Sequence, residues 1–371
     1  MATYTPDQMY GAGIQGETIS GSTLFMFTNP GGSSYFTVET VQDATGSVRG
    51  KQVTTSGSWV EADTRMGVVN SNYFAAAVVP PGTSSIVFNP ANPITGSNYR
   101  FKGTGAFTMT TFNPSASLFA GGVKGVWFDA SDLSTMFKDI AGTQQVTAVG
   151  DPVGKWLDKS GNGNHAVAPA DANRPTYQID AEGNPNVTFT RTTPTQLVVA
   201  SMNLSTTNKL TVCAGLNVTD QSGNAGAPVE FGDVSTGTGT FLIGAPSATA
   251  DHSIYLRGST ASIQARMANI VDGDDIITAL LDISAGATTR ELQLIPRLNY
   301  VQIPTANITW TPSSGGTTTG VNFGTWPLYL GARSGLGTPY GGKIYQLIIR
   351  GAVSTAAEVY QIEAFTDSKL D

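Results

Sequence analysis

Between residues 210 and 218, Leu210, Val212, Ala214, Leu216 and Val218 alternate strictly with Thr211, Cys213, Gly215 and Asn217. A strand sends successive side chains to opposite faces, so this period of two specifies one buried and one more polar face, which a helix cannot provide. Ile277, Ala279, Leu281 and Ile283 repeat the pattern, while Gly342 to Ile349 is apolar on both alternations, as a central strand requires. No strand-helix-strand alternation intervenes, which excludes a parallel α/β sheet. The chain is expected to be all-β.

The first 113 residues carry the same grammar on a smaller scale. Period-2 runs occur at 23–27, 34–41, 75–79, 85–88, 99–102 and 106–111. Asn29-Pro30-Gly31-Gly32, Pro80-Pro81-Gly82 and Asn89-Pro90 separate them, because proline presets φ and glycine accepts positive φ in turns. This predicts a small N-terminal β-sandwich-like domain over 1–113, with six to eight strands. Residues 114–122, containing Pro114-Ser115-Ala116-Ser117 and Gly121-Gly122, read as a linker to a larger domain over 123–371. One helix is signalled near the end: Thr355-Ala356-Ala357-Glu358 fits a capping box, followed at helical spacing by Val359, Ile362 and Phe365. This short C-terminal helix is expected to cover Leu347 and Ile349.

Charge narrows the partners. The net charge is −7 without any Lys/Arg cluster, so the footprint needed to bind a phosphate backbone is missing and nucleic acid is not an expected partner. No run approaches the ~18 apolar residues of a membrane span, and Met1 to Pro6 do not open a basic-then-apolar secretion signal; neither membrane insertion nor export is expected. The 43 glycines and 19 prolines fit many short strands joined by tight turns, and 40% apolar content argues against disorder. The single cysteine, Cys213, rules out an intrachain disulfide, and its place in the alternating run predicts a buried, inert thiol.

Two segments go beyond generic β patterning. Gly125-Val126-Trp127-Phe128-Asp129-Ala130-Ser131-Asp132 is followed by Asp158-Lys159-Ser160-Gly161-Asn162-Gly163-Asn164-His165-Ala166, and the chain closes on Gly342 to Ile349 with the Thr355 helix. These phrases resemble the opening turns and the closing strand and helix of the concanavalin A/laminin-G-like jelly rolls carried by bacteriophage fibres, spikes and head decorations. The resemblance brackets 123–371 and implies a jelly-roll sandwich in a virion structural protein of capsid, collar or tail. It further implies assembly in the bacterial host cytoplasm, docking on other virion proteins through the N-terminal domain, and display of the jelly roll toward a host-surface glycan. A homo-oligomer, with the trimer common among viral fibres, fits this context. The competing readings are a purely structural decoration protein without a ligand and a polysaccharide-depolymerising tailspike.

Candidate chemistry follows from residue types. Trp310, Trp326, Tyr329 and Tyr340 lie among Gly/Ser/Thr-rich loops and offer rings for stacking on sugar faces, with packing as the competing role. Trp127 and Trp156 are expected in the core. Asp158, Asn162 and Asn164 offer hard oxygens to Ca²⁺, which many laminin-G-like domains bind; the alternative is a tight turn capped by Asp158, and no cofactor is otherwise expected. Asp272-Gly273-Asp274-Asp275 lacks the distal carboxylate of a calcium loop and reads as a solvated connection. His165 and His252 have no nucleophile motif around them, and the strand-borne acids of a jelly-roll glycosidase are absent, so no catalytic residue is assigned and the chain is not expected to be an enzyme. Glu230, Asp233 and Glu291 are the scattered acids that folding would have to bring together for hydrolysis.

Overall fold

The computed structural model describes the strand backbones of the first 111 residues and residues 112–370, excepting 221–224, 248–250, 260, 269–272, 285 and 313–321. It divides into two compact units, 1–113 and 114–370.

In the first unit the strands, numbered in chain order, are β1 (Ala2–Tyr4), β2 (Phe25–Thr28), β3 (Thr37–Val41), β4 (Trp59–Met66), β5 (Asn72–Ala77), β6 (Ser85–Val87), β7 (Asn98–Lys102) and β8 (Phe107–Thr111). They pair antiparallel as a four-stranded sheet, β1-β8-β2-β6, and two pairs, β3-β7 and β4-β5. The turns at Asn29 to Gly32, Pro80 to Gly82 and Asn89-Pro90 lie outside the described residues.

The second unit is a sandwich of two antiparallel sheets. The ten-stranded sheet runs β10 (Met136–Phe137), β11 (Lys155–Trp156), β12 (Ala166–Val167), β15 (Leu197–Asn203), β25 (Thr325–Leu330), β17 (Val229–Phe231), β18 (Thr240–Ser247), β19 (Asp251–Arg257), β20 (Ser262–Ala268) and β24 (Ile308–Thr311). The eight-stranded sheet runs β13 (Thr176–Ile179), β14 (Pro185–Phe189), β26 (Gly342–Arg350), β16 (Lys209–Val218), β21 (Asp274–Asp282), β22 (Leu294–Leu298) and β23 (Val301–Gln302), with β9 (Gly125–Asp129) also pairing β26. Leu210, Val212, Ala214 and Leu216 of β16, with Ile277, Ala279 and Leu281 of β21, point into one core with Phe231, Phe241, Ile254 and Leu328 of the opposite sheet. The all-β sandwich and its helix agree with the sequence reading.

Two expectations change. Residues 114–122 are not an open linker: Pro114–Leu118 is a helical turn, Leu118 and Phe119 are buried, and Arg350 Nε donates to Leu118 O at 3.2 Å. Its small polar residues resemble a connector, but its two large apolar ones are drawn out of water.

The C-terminal helix Ala356–Asp367 carries the expected box: Glu358 N donates to Thr355 Oγ1 at 3.3 Å, and Thr355 N donates to Glu358 Oε2 at 2.7 Å. However, it does not cover Leu347 and Ile349, which face the sandwich core. It lies on the outer face of the eight-stranded sheet, where Gln346 Nε2 donates to Thr366 Oγ1 at 2.8 Å and Thr366 stands 3.4 Å from Cys213 Sγ. Gly215 leaves room for it, since a Cβ there would come within 2.9 Å of the Thr366 methyl. Because β26 is apolar on both alternations, the sequence pattern did not distinguish the two faces.

Candidate functional site

On the outer face of the ten-stranded sheet, cross-strand pairing lines up Val198, Tyr329, Glu230, Leu242, Tyr255, Gln264 and Thr311 in one row across seven strands. Directly opposed residues share a face, so Tyr329 and Tyr255 flank Glu230 and Leu242. A second row joins Gly244, Ser253, Arg266 and Thr309. The loops around Gly226, Ser235 and Thr338 rise beside these rows and enclose a cavity of about 270 Å³ whose lining includes Leu242, Gly244, Ser253, Tyr255, Arg266 and Arg333. Gly244 keeps its floor open, because a Cβ there would come within 2.6 Å of Ser253 Oγ. A smaller hollow of about 190 Å³, lined by Glu230, Asp233, Ser235, Arg333 and Thr338, adjoins it and shares Arg333, Ser235 and Thr338.

Arg333 organises the boundary between them. Its Nε donates to Glu230 Oε1 at 2.9 Å, and its Nη2 donates to Asp233 Oδ1 and Ser235 Oγ, both at 3.0 Å. Gln196 Nε2 holds the backbone by donating to the carbonyls of Ala332 and Arg333 at 2.9 and 2.8 Å. The turn that follows places Leu336 (φ 63°) and Thr338 (φ 48°) in the left-handed region, a cost that clusters where a loop is shaped for a purpose. Burial pushes the Glu230 carboxyl up, and the neighbouring Arg333 offsets part of that rise; Asp233 is held down chiefly by the Ser235 amide. Folding therefore brings Glu230 and Asp233 together on one guanidinium, while Glu291 pairs instead with Arg290 at 2.9 Å.

Polar atoms in this region lack partners. Among the described residues nothing engages Glu230 Oε2 or Ser253 Oγ, and both side chains are fully buried. Such atoms normally carry a desolvation cost unless a ligand or water reaches them, and these two lie beside an open cavity.

The four aromatic candidates separate. Tyr340 is fully buried, its hydroxyl donating toward Asn217 O at 2.7 Å and Lys343 O at 3.1 Å, and Trp310 packs in the core beneath Arg290. Both are corrected to structural roles; each sits beside turn residues that resemble a loop, yet burial of the ring prevails. Trp326 is half-buried against the core with its indole N–H donating to Thr238 O at 2.9 Å, and a side chain at Gly324 would collide with that indole. Tyr329 alone lies in the outer row next to Glu230. Trp156 is in the core, and Trp127 is buried with its ring edge-on to Phe365.

The Asp158 cluster is built as a turn. Asp158 Oδ1 accepts from the amides of Trp127 (2.9 Å) and Ser160 (2.8 Å), and Oδ2 from Ser160 Oγ (2.8 Å) and the Asn164 amide (2.9 Å). Asn162 and Asn164 turn their amide N–H groups to Val123 O and Gly125 O. With four donors on one carboxylate, little oxygen is left for a cation. Gly161 and Gly163 supply the left-handed turn conformations at φ 88° and 76°. In the second acidic run Gly273 is exposed, but Asp275 departs from a solvated connection: it is buried against His252, with Oδ2 to Nε2 at 2.8 Å, and accepts from Asn299 at 2.9 Å. No group of three His, Cys, Asp or Glu side chains converges as a metal site among the described residues.

No family model and no curated protein matches the sequence. Among solved structures, the chain is similar to domain 4 of AbnA, a GH43 extracellular arabinanase from Geobacillus stearothermophilus, in complex with arabinotriose. That similarity has 12% identity, covers 65% of this chain and 98% of that one, and has a TM-score of 0.42. It is also similar to the ligand binding domain of botulinum neurotoxin serotype D in complex with N-acetylneuraminic acid, at 8% identity over 68% of this chain and 52% of that chain, with a TM-score of 0.42. A third is the CBM40 domain of the Ruminococcus gnavus IT-sialidase, at 13% identity over 43% of this chain and 84% of that chain, with a TM-score of 0.32. At these identities the similarity does not extend to side-chain chemistry.

Proposed function

We propose that the second unit is a non-catalytic glycan-binding β-sandwich whose site is the outer-face cavity at Ser253, Tyr255 and Arg333. The observation that carries this reading is the pair of fully buried polar atoms that no described residue engages, Glu230 Oε2 and Ser253 Oγ, set beside a cavity with a tyrosine in its wall. Sugar sites combine a ring for the apolar pyranose face with a few placed donors and acceptors for the hydroxyls, and this lining has both. Hydrolysis needs two carboxylates free to face a glycosidic bond; here Glu230 and Asp233 are both tied to Arg333.

The wider setting we propose is a bacteriophage virion structural protein, held on capsid, collar or tail by residues 1–113 and displaying the sandwich toward the host surface, as a homo-oligomer. The motif phrases at 125–132 and 158–166 support that setting. The test is to incubate the full chain with a glycan array and with host polysaccharide. Retention of one glycan class without release of reducing ends is expected; release of reducing ends would replace this reading with a depolymerase, and no binding would leave only a decoration role.

A further inference from the structure

We infer that the cavity selects sugars bearing a carboxylate, an inference that rests on the glycan-binding reading above. Ser253 and Arg266 are direct cross-strand partners of β19 and β20, both on the outer face and both in the cavity lining. Direct partners stand about 5 Å apart at their Cβ atoms, close enough to address one ligand group. Ser253 Oγ has no hydrogen-bond partner among the described residues, although the residue is fully buried. Arg266 Nε is also buried and makes no hydrogen bond among the described residues: it lies 3.3 Å from Asp251 Oδ2, an ion contact without hydrogen-bond alignment. The guanidinium side chain is otherwise about one-third exposed. A hydroxyl without a hydrogen-bond partner among the described residues and a guanidinium in ion contact with Asp251 therefore sit side by side at this end.

The other end has the opposite character. Glu230 Oε2, in the adjoining hollow beyond Arg333, is an acceptor without a donor among the described residues. A ligand in the cavity proper presents an anionic acceptor to Ser253 and Arg266, while Glu230 lines only the adjoining hollow. A planar carboxylate matches the fork of a guanidinium, and a sugar acid carries that group and hydroxyls on one ring. The cavity, at about 270 Å³, falls just under the range of drug-sized pockets, which suits one sugar residue and not an extended chain. Asp251 balances Arg266 in the free protein, so the site pays no unpaired-charge penalty before the ligand arrives.

The experiment uses the full chain and two probe pairs in saturation-transfer NMR: methyl glucuronide against methyl glucoside, and methyl N-acetylneuraminide against its carboxyl-reduced form. At least one acid is expected to bind roughly 10- to 100-fold tighter than its neutral partner, the range of a hydrogen bond to a charged group. The pair that responds identifies a uronic or a nonulosonic acid as the source of the carboxylate. Arg266→Gln is expected to remove the preference while leaving residual binding, and Ser253→Ala to weaken the acid only. Equal binding of acid and neutral forms, unmoved by Arg266→Gln, would overturn the carboxylate inference and leave the glycan reading standing. Silence from all four probes together with a blank array would overturn both.

Discussion

Glu230 and Arg333 join at 2.9 Å between β17 and the turn after β25, and the pair leaves Glu230 Oε2 unengaged by any described residue. Burial raises this carboxyl's pKa above its ordinary value. A raised acid binds its proton more readily folded than unfolded, so Glu230's contribution to stability is greatest at low pH and falls as pH rises from the unfolded value through the folded one. The stability of the wild type relative to Glu230→Gln is therefore expected to decline over the interval that runs upward from the ordinary glutamate value of about 4 in thermal melts. A difference that grows with pH over that interval would show the carboxylate to be better stabilised than its surroundings indicate.

Asp158 satisfies four donors across the turn that joins β9 to the 158–166 segment. Removing an acceptor strands those groups, so Asp158→Ala is expected to cost about 3 kcal/mol or more in denaturant unfolding. Addition of Ca²⁺ or of a chelator should leave the melting temperature of the wild type unchanged. A calcium-dependent rise would return the cluster to a metal site.

The C-terminal helix tests the outer face of the eight-stranded sheet. Ile362 is fully buried while Phe365 is half-exposed, edge-on to Trp127 with ring centroids 5.9 Å apart. Ile362→Ala is expected to cost about 2–5 kcal/mol, and Phe365→Ala less than the roughly 3–5 kcal/mol of a fully buried ring. The reverse order in chemical denaturation would mean that the helix docks through its other side.

Cys213 is fully buried between Thr278 and Thr366, and burial pushes its thiol up to about 12. A thiol this far from ionisation does not attack electrophiles. No labelling by an aromatic disulfide reagent is expected in the native protein, with one thiol appearing on denaturation; rapid native labelling would show that the helix opens readily.

The strands that build the sandwich were legible because their inner residues repeat at period two within single segments, as in Leu210 to Leu216 and Ile277 to Leu281. The cavity was not. Glu230, Ser253, Arg266 and Arg333 come from separate stretches spread over a hundred residues; the first three occupy the outward alternation of their strands, where a polar residue is unremarkable, and Arg333 lies in the turn after β25. Tyr255 carried the same disguise, although its alternation with Ile254 and Leu256 did indicate an outward position. Tyr340 and Trp310 misled in the opposite sense: flanking Gly, Ser and Thr suggested exposure, but Tyr340 sinks its hydroxyl onto two backbone carbonyls and Trp310 completes the edge of the core.

The most direct test of the central claim is calorimetric titration of the best-retained array glycan into the full-length wild type, Tyr255→Ala and Leu242→Trp, with matched melts to verify folding. Tyr255 removes a wall of the cavity, and a tryptophan at Leu242 fills it. Binding by the wild type that weakens at least roughly tenfold in both variants, the loss that accompanies about 1.4 kcal/mol, is the predicted result. Unchanged affinity in both folded variants would contradict the assignment of the outer-face cavity as the glycan site.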